Sequence, residues 1–577
     1  MFAYRYAPFN HRNLIKFCKC FVIFLKTESP LFRSKSNEFT KRLDVKISGK
    51  TENSLTSKGV EKTVKPTYRY FIDSAEYFEI RHQAVEHLKF SGESPYPHKF
   101  RVTLLLKDFI NRYRNLEIGQ ILKDDICSVA GRVMSKRKSS SKLIFYDLKQ
   151  EGVKIQIVAD ASYFSSEEEF LDINRKIRRG DIIGCKGYPY KSSTGELSLK
   201  PTRIQTLAPC LHLFPHPYFG LKNIHKKIHQ RYLDLLINDS VHHQLIIRSE
   251  VIKYIRKFFH SQNFTEVETP YLGMIPSNNE SRLFKTYHNK LDMNLNLRMT
   301  SGLYLKELII AEFNKIFEIG RFFKNEATDK TRSSEFTACE FYMAHEDFDY
   351  LMKFTETLIS EMVKSLTGSY KTKYHLDGPS SQKYEIDFTP PFKRVKMWPF
   401  LESALKMTLP EPTSLDSLES NKIIIDVCAK HGIECAAPQT SSKLLNRLVE
   451  HFIEKTTVNP TFVCGYPIIM SLLAKQHPDT CGFSERFELF IKKMKIVNGY
   501  TALNDPVELQ QRFQNRVEGR VFGVDEISMI DETYLAALEH GLPPTVGGRI
   551  GIDKLAMILT NSNDIREILW FPLVPPK

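Results

Sequence analysis

Residues 495–505, KIVNGYTALND, carry side chains suited to the wall of a small-ligand pocket. Asn498 to Thr501 combine small and polar groups of the kind that shapes a cavity and orients a bound molecule. Lys495 and Ala502 fit such a wall less well, because they place an ammonium and a methyl group in it. The chemistry of the pocket therefore depends on the ligand group that these two residues face.

The composition is that of a soluble globular protein with more than one domain. The chain has 577 residues, of which 42% are hydrophobic and 26% are charged, and these values exclude disordered and fibrous classes. The ten cysteines are irregularly spaced, which predicts reduced and mostly buried thiols rather than a disulfide framework or a zinc site. The formal net charge of +15 makes a polyanion the expected partner.

Much of this charge lies in the first 66 residues, which contain fourteen Lys or Arg and five Asp or Glu. No acidic residue precedes Glu28, a pattern that suits a mitochondrial transit peptide within residues 1–50. A plain disordered basic tail is the alternative. The longest apolar run of this segment, FVIFL, is too short to cross a membrane, so no membrane association is expected.

The chain from residue 124 onwards divides into a β-rich part and a mixed part. The runs DICSVAGRVM, SKLIFYDLKQ, GVKIQIVAD and DIIGCKGYPY are short and rich in β-branched and aromatic residues, with turn residues between them. This spacing predicts a small β-barrel, and oligonucleotide-binding barrels are one such fold. The segment PHPYFGLKN (215–223) is interpreted as a linker, and helical and strand-like stretches alternate beyond it, which predicts a mixed domain.

Three separated segments resemble the motifs of class II aminoacyl-tRNA synthetases. Motif 1 is matched by HQRYLDLLIN followed by FTEVETP (264–270), motif 2 by FEIGRFFKNEATDKTRSSEFTACEFYMA (317–344) and motif 3 by GIDKLAMILTNSNDIREILWFP (551–572). With VAGRV, KLIFYDL, SPYPHKF and DFTPPFKR added, the chain resembles the lysyl-tRNA synthetase family of the eukaryotic cytosolic type from about residue 68 to its end.

The resemblance implies an α+β fold, in which an N-terminal OB-fold β-barrel precedes a catalytic domain built on a six-stranded antiparallel sheet. It also implies ATP and Mg²⁺ as cofactors, tRNA (that for lysine) as partner, a homodimer and a cytoplasmic location. The expected parts are a basic extension (1–66), a helix and connecting segment (67–123), the anticodon-binding OB-fold domain (124–210), a linker (211–230) and the catalytic domain (231–577).

Many positions match the residues that this family uses to bind its ligands. The resemblance assigns Phe336, Glu326 and Asp553 to ATP binding and Glu488 to the metal. It assigns to the wall of the lysine pocket Glu340, Tyr342, Asn498 and Tyr500. In the barrel it assigns to the anticodon Phe145, Arg132 and Gln156.

Other positions depart from the family pattern, and they are the positions that bind lysine, phosphate and the metal ion in the family. Gly302 and Ala502 stand where the family has the carboxylates that receive the two ammonium groups of lysine. Lys324 and Lys554 replace the arginines that bind phosphate, and lysine cannot make the two-pronged contact of a guanidinium. Further substitutions are Lys495 for the second metal-binding glutamate, Arg549 for a glycine beside the ATP site, Arg332 for a phosphate-side histidine, and Ser277, Asn278 and Asn279 for a Gly-Gly-Ala loop.

These substitutions make the expected cleft more positive and remove the anions that bind lysine. We therefore expect a lysyl-tRNA synthetase-like protein that binds tRNA and dimerises, with impaired or lost lysine activation and doubtful Mg²⁺ binding. One alternative is an active lysine–tRNA ligase with a rebuilt pocket, in which Glu307 or Glu312 replaces a lost carboxylate. Others are a non-enzymatic scaffold or regulatory paralogue, a decaying gene copy without specific function, and a cleft that holds another anionic ligand.

Overall fold

The computed structural model describes residues 73–215, 220–221, 223–273, 283–375, 383–518 and 531–573. Residues Asp73–Lys577 form one compact unit. The basic extension and the Ser277 to Asn279 substitutions lie outside the described residues. What the sequence predicts for these segments therefore stays a prediction.

The N-terminal part of this unit contains a closed five-stranded barrel. The elements of this part are α1 (Ser74–Phe90), α2 (Leu106–Tyr113), β1 (Cys127–Lys138), β2 (Leu143–Gln150), β3 (Val153–Asp160), α3 (Glu167–Lys176), β4 (Ile182–Lys191) and β5 (Leu197–Ala208). The strand order of the barrel is β1-β2-β3-β5-β4. Strands β3 and β5 are parallel, and the other neighbours are antiparallel, as the OB-fold expectation requires.

The second part begins with helices and then alternates strands with helices. Its first elements are α4 (Ile224–His229), α5 (Arg231–Ile237), α6 (Asp239–Ser261), β6 (Thr265–Glu266), β7 (Leu272–Gly273), β8 (Lys285–His288), β9 (Met293–Leu297), α7 (Gly302–Ile310), β10 (Lys315–Phe323), β11 (Glu335–Ala344) and α8 (Phe348–Thr367). The remaining elements are β12 (Lys371–His375), β13 (Lys383–Asp387), β14 (Lys393–Lys396), α9 (Met397–Leu405), α10 (Leu418–Lys430), α11 (Ser441–Leu448), β15 (Thr461–Pro467), β16 (Phe483–Ile491), β17 (Met494–Thr501), α12 (Pro506–Glu518), α13 (Glu532–Glu539), β18 (Thr545–Gly551), α14 (Ile552–Leu559) and α15 (Ile565–Ile568).

The central sheet of the second part has the strand order β14-β15-β16-β17-β18-β11-β10-β6. The six inner strands are antiparallel, which confirms the expected catalytic sheet. A short parallel strand extends the sheet at each edge, β14 beside β15 and β6 beside β10. These two edge strands were not predicted from the sequence, because each is only two to four residues long.

Helix α6 packs on the sheet through residues that repeat at helical spacing. Leu245, Val251, Ile255 and Phe259 are buried along one face of the helix, as the amphipathic pattern of the sequence predicts. Arg248 lies on the same buried face and donates to Asp553 of α14, with an Nη2–Oδ1 distance of 2.9 Å. The motif 1 helix and the motif 3 helix are thus joined by a buried ion pair.

The buried Arg248–Asp553 pair predicts that Arg248→Ala strongly destabilises the protein, because Asp553 is then a buried carboxylate without its cation. We expect a loss of about 3–5 kcal/mol in the free energy of unfolding, measured by urea denaturation. Arg256→Ala on the same helix is the matched control, since the Arg256–Glu266 pair is exposed and contributes about 1 kcal/mol or less. Equal effects of the two substitutions contradict the prediction.

Candidate functional site

One row of polar side chains crosses the centre of the sheet in register. Strand pairing places Glu340 opposite Arg549, Arg549 opposite Asn498 and Asn498 opposite Glu488. Directly opposite residues share one face of a sheet, and all four line a cavity of about 700 Å³. The row thus forms the floor of the candidate site.

The same cavity brings together most of the predicted site residues, although they come from distant parts of the sequence. Besides the four residues of the row, the cavity is lined by Lys324, Glu326, Arg332, Phe336, Tyr342, Lys495, Tyr500, Asp553 and Lys554. Asp553 differs from the others, because its carboxylate is bonded both to Arg248 and to the backbone N–H of Thr337. Its role in this structure is to join elements beneath the site.

The Glu340 carboxylate has a full set of partners from the protein. Arg549 Nε donates to Oε1, the Thr300 hydroxyl donates to the same oxygen at 2.9 Å, and the Ser301 N–H and hydroxyl both donate to Oε2 at 2.7 Å. Burial alone raises the pKa of Glu340, but Arg549 and the Ser301 donors outweigh it and hold the pKa below its usual value. Glu340 is therefore ionised, and its negative charge is already neutralised by Arg549.

The Glu488 carboxylate is occupied in a similar way. Lys495 Nζ lies 2.9 Å from Oε1, Arg486 Nη2 binds the same oxygen, and the Tyr466 hydroxyl donates to Oε2 at 3.1 Å. Burial raises the pKa of Glu488, yet Lys495 and Arg486 lower it to about 2. Both oxygens of this buried carboxylate are engaged by side chains of the protein.

Several cations line the same cavity. Burial lowers the pKa of Lys554 to about 8, and the nearby charges of Lys495 and Arg332 act in the same direction, whereas Glu454 opposes them. Burial, followed by the charge of Arg549, also lowers the pKa of Lys324, and Glu326 opposes this shift. Burial is thus the main cause of both shifts, and the neighbouring cations add to it.

Gly302 and Ala502 do not line this cavity. A β-carbon added to Gly302 lies only 2.8 Å from the Tyr342 hydroxyl, so a side chain at this position requires that the buried Tyr342 shift. Ala502 is buried in an apolar cluster that includes Leu305 and Tyr342. The pocket thus differs from the expected one in its packing as well as in its charge.

Two cationic residues of the site were missed by the sequence analysis. Arg486 bonds both Glu488 and Asn498, and its position two residues before Glu488 on β16 was the available signal. Lys306 is fully buried, with its ammonium 4.8 Å from the centre of the Tyr534 ring and 5.8 Å from that of Tyr342. Burial lowers the pKa of Lys306 to about 8. Nothing in the local helical pattern of the sequence separates this lysine from a solvent-exposed one.

The predicted anticodon residues lie on the barrel but do not form one cluster. Phe145 is half-buried, directly opposite Arg137, whose guanidinium lies 5.9 Å from the ring centre. Gln156 is opposite Asp147 and donates to Glu196 Oε2 at 2.9 Å, so Phe145 and Gln156 share one face. Arg132 is opposite Lys149 in the register, but its guanidinium is engaged elsewhere: Nη1 donates to the Gly180 carbonyl at 2.7 Å, and the guanidinium carbon lies 5.7 Å from the Phe214 ring centre.

The chain is similar to known proteins over most of its length. Residues 223–575 match the family described as tRNA synthetases class II (D, K and N), and residues 127–207 match the OB-fold nucleic acid binding domain. A lysine–tRNA ligase of Cladosporium cladosporioides is 41% identical over 87% of this chain and 85% of its own length. The chain belongs to the class II lysyl-tRNA synthetase family. Further relatives are a probable cytoplasmic lysine–tRNA ligase of Encephalitozoon cuniculi (38% identical over 84% of this chain and 94% of its own length) and a lysine–tRNA ligase of Thermotoga maritima (37%, over 87% and 96%).

The lysyl-tRNA synthetase family implies Mg²⁺, and the described residues do not fit that ion. Mg²⁺ requires several oxygen ligands in near-octahedral geometry, whereas Glu488 is bonded to two cationic side chains and a tyrosine hydroxyl. Within the described ranges, no group of three or more His, Cys, Asp or Glu side chains could hold a metal ion. An adenine nucleotide fits better, because Phe336, Lys324 and Lys554 line one cavity.

The carboxylates considered as replacements in this lysyl-tRNA synthetase family member do not reach the cavity. Neither Glu307 nor Glu312 is among its lining residues. Asp531 does line it, but one of its oxygens accepts the Tyr534 N–H at the start of α13.

In the portion of the chain that is described, no helix is long and apolar enough to cross a membrane.

Proposed function

We propose that this lysyl-tRNA synthetase family member binds tRNA and forms a homodimer but activates lysine weakly or not at all. The observation that carries the proposal is the position of Arg549, opposite Glu340 in the strand register and bonded to its carboxylate. Lysine brings two ammonium groups into the cleft, and each needs a carboxylate that is not already paired.

Lysine would have to compete with the cations of the protein for these carboxylates. Glu340 is bonded to Arg549 and Glu488 to Lys495, so a bound lysine must displace one of them or lie beside it. An unpaired charge in a buried site typically costs roughly 3–5 kcal/mol. The surrounding positive field from Lys324 and Lys554 disfavours a cationic amino acid further.

Lysine-dependent exchange of pyrophosphate with ATP tests the proposal on the purified full chain. We expect a rate at least about 10²-fold below that of a functional relative such as the Thermotoga maritima enzyme, since one lost buried ion pair alone accounts for that factor. The variant Arg549→Gly, Lys495→Glu should raise the rate by at least about tenfold, because it frees Glu340 and restores the carboxylate at position 495.

Two controls accompany this assay. Lys393→Glu with Lys493→Gln makes the same change in net charge at two exposed lysines and should leave the exchange rate unchanged. Gly302→Glu alone should not help, because its side chain meets the Tyr342 hydroxyl. Exchange by the unmodified chain within tenfold of the relative contradicts the proposal.

The second candidate function is a working lysine–tRNA ligase with a rebuilt pocket. The names of the relatives favour it, and so does Asp531, a carboxylate in the cavity lining that the sequence analysis did not assign. Rapid lysine-dependent exchange that is abolished by Asp531→Asn supports this candidate. Its weakness is that one new carboxylate faces two ammonium groups.

Binding of tRNA is supported by the barrel rather than by the cleft. The OB-fold match covers the whole barrel, and Phe145 presents a half-buried ring with Arg137 beside it. Aromatic rings flanked by cations stack unpaired bases in such folds. Phe145 and the neighbouring Gln156 are therefore our candidates for anticodon contact.

Phe145→Ala should weaken binding of a lysine tRNA transcript, because stacking contributes roughly 1–3 kcal/mol per base. Filter binding or fluorescence anisotropy at fixed salt measures the change. Phe90→Ala is the matched control, since Phe90 is 92% exposed at the end of α1, outside the barrel. Equal affinity for any RNA, with no effect of Phe145→Ala, means that the chain binds through its basicity alone.

A homodimer is supported by apolar side chains left exposed around the motif 1 segment. Ile246 on α6, together with Tyr271 and Leu272 in and beside β7, is more than 40% exposed, and a second copy can bury such side chains. Sedimentation equilibrium should show a dimer that is weakened by Ile246→Glu. A monomer at micromolar concentration contradicts this part of the proposal.

A cytoplasmic location is proposed by analogy with the relatives. The Encephalitozoon cuniculi protein and a similar one of Vairimorpha ceranae are named as cytoplasmic. Recovery of the chain in purified mitochondria contradicts this assignment and favours the transit peptide.

A further inference from the structure

Lys495 places a positive charge where a metal-bound carboxylate is expected. Its ammonium lies 2.9 Å from Glu488 Oε1, its side chain is 42% exposed, and the residue lines the cavity. An ammonium in this position is held by Glu488 on one side and faces the cavity on the other. It is therefore available to an anion that enters the cavity.

Both oxygens of Glu488 are already bonded to side chains of the protein, so Glu488 cannot bind a metal ion at the same time. One oxygen is bonded to both Lys495 and Arg486, and the other accepts the Tyr466 hydroxyl. A divalent cation brought to this carboxylate would lie beside two positive side chains, and Coulomb repulsion opposes that. The negative charge of Glu488 serves to hold cationic side chains in place.

Lys324 and Lys554 complete a set of cations around the same space. Neither ammonium has an ion-pair partner among the residues that the structure describes, and both line the cavity with Lys495 and Arg332. Buried ammonium groups without partners are costly, and an oxyanion that receives their hydrogen bonds removes that cost. Phe336 lines the same cavity and offers a half-buried ring to a planar base.

We propose that this cavity binds the triphosphate of a nucleotide without a divalent cation, with the Lys495 ammonium in place of the metal ion. Lys324, Lys554 and Lys495 supply the charge that a magnesium ion otherwise supplies between phosphate and protein. The proposal is independent of lysine activation, because it concerns binding in the absence of both lysine and tRNA.

The proposal gives a direction for the effect of magnesium. Free ATP is more negative than its magnesium complex, so a cleft that carries its own cations should prefer the free nucleotide. In a site that needs the metal as a bridge, removal of magnesium weakens binding. The two kinds of site therefore respond to a chelator in opposite directions.

Titration of the purified full chain with ATP, in EDTA and in excess MgCl₂ at one ionic strength, tests the proposal by calorimetry. We expect equal or tighter binding in EDTA. Binding that is weaker in EDTA by about tenfold or more overturns the proposal, and so does the absence of measurable ATP binding in both buffers. Lysine-dependent exchange plays no part in this measurement. The proposed function can therefore fail while this inference stands, and this inference can fail while the proposed function stands.

Substitutions at position 495 identify the residue responsible. Lys495→Gln should weaken ATP binding in EDTA by at least about tenfold, since a charge-assisted hydrogen bond is lost, and magnesium should not restore it. Lys495→Glu should make binding depend on magnesium, because two carboxylates then face the cavity. Lys493→Glu changes the charge equally at an exposed neighbour outside the cavity and should have no effect. Unchanged affinity of folded Lys495→Gln overturns the role of Lys495.

Discussion

The site depends on strand register, which aligns Glu340, Arg549, Asn498 and Glu488 across four neighbouring strands. Side chains that are directly opposite lie about 5 Å apart at their β-carbons, so a charge placed in the row must be balanced by the row itself or by the side chains beside it. Arg549 neutralises Glu340 from the adjacent strand, and Lys495 with Arg486 neutralises Glu488. The carboxylates that a cationic ligand needs are already paired by the protein.

On the strand that carries Arg549, the two preceding glycines have no room for a side chain, whereas position 549 lines the cavity. A β-carbon at Gly547 lies 2.3 Å from the Tyr342 ring, and one at Gly548 lies 2.5 Å from the Asn498 carbonyl oxygen. These two positions therefore exclude side chains by packing. Position 549 points into the cavity instead, so the substitution of a family glycine there costs no packing and changes the charge of the floor.

The family resemblance predicted the fold and the gathering of the site residues, because motif order survives substitution. It placed Arg549 beside the ATP site, and the bond of Arg549 to Glu340 became visible only with the register of β11 and β18. Gly302 and Ala502 marked lost charges in the sequence, but their enclosure by Tyr342 and apolar neighbours depends on packing between distant segments. Lys306 gave no signal, because its burial arises from the contact of α7 with α13.

The ion pairs made by the substituted residues Arg549 and Lys495 help to decide whether this chain is a decaying gene copy. Random loss in a buried site leaves charges without partners, and each such charge destabilises the fold by several kcal/mol. Here Arg549 and Lys495 each face an existing carboxylate, whereas Lys324 and Lys554, which have no ion-pair partner within the described part of the chain, line the same cavity. The positive charge that the described residues leave unbalanced therefore faces the cavity, where an anion can neutralise it. That distribution favours selection for an anionic ligand over the loss of function without replacement.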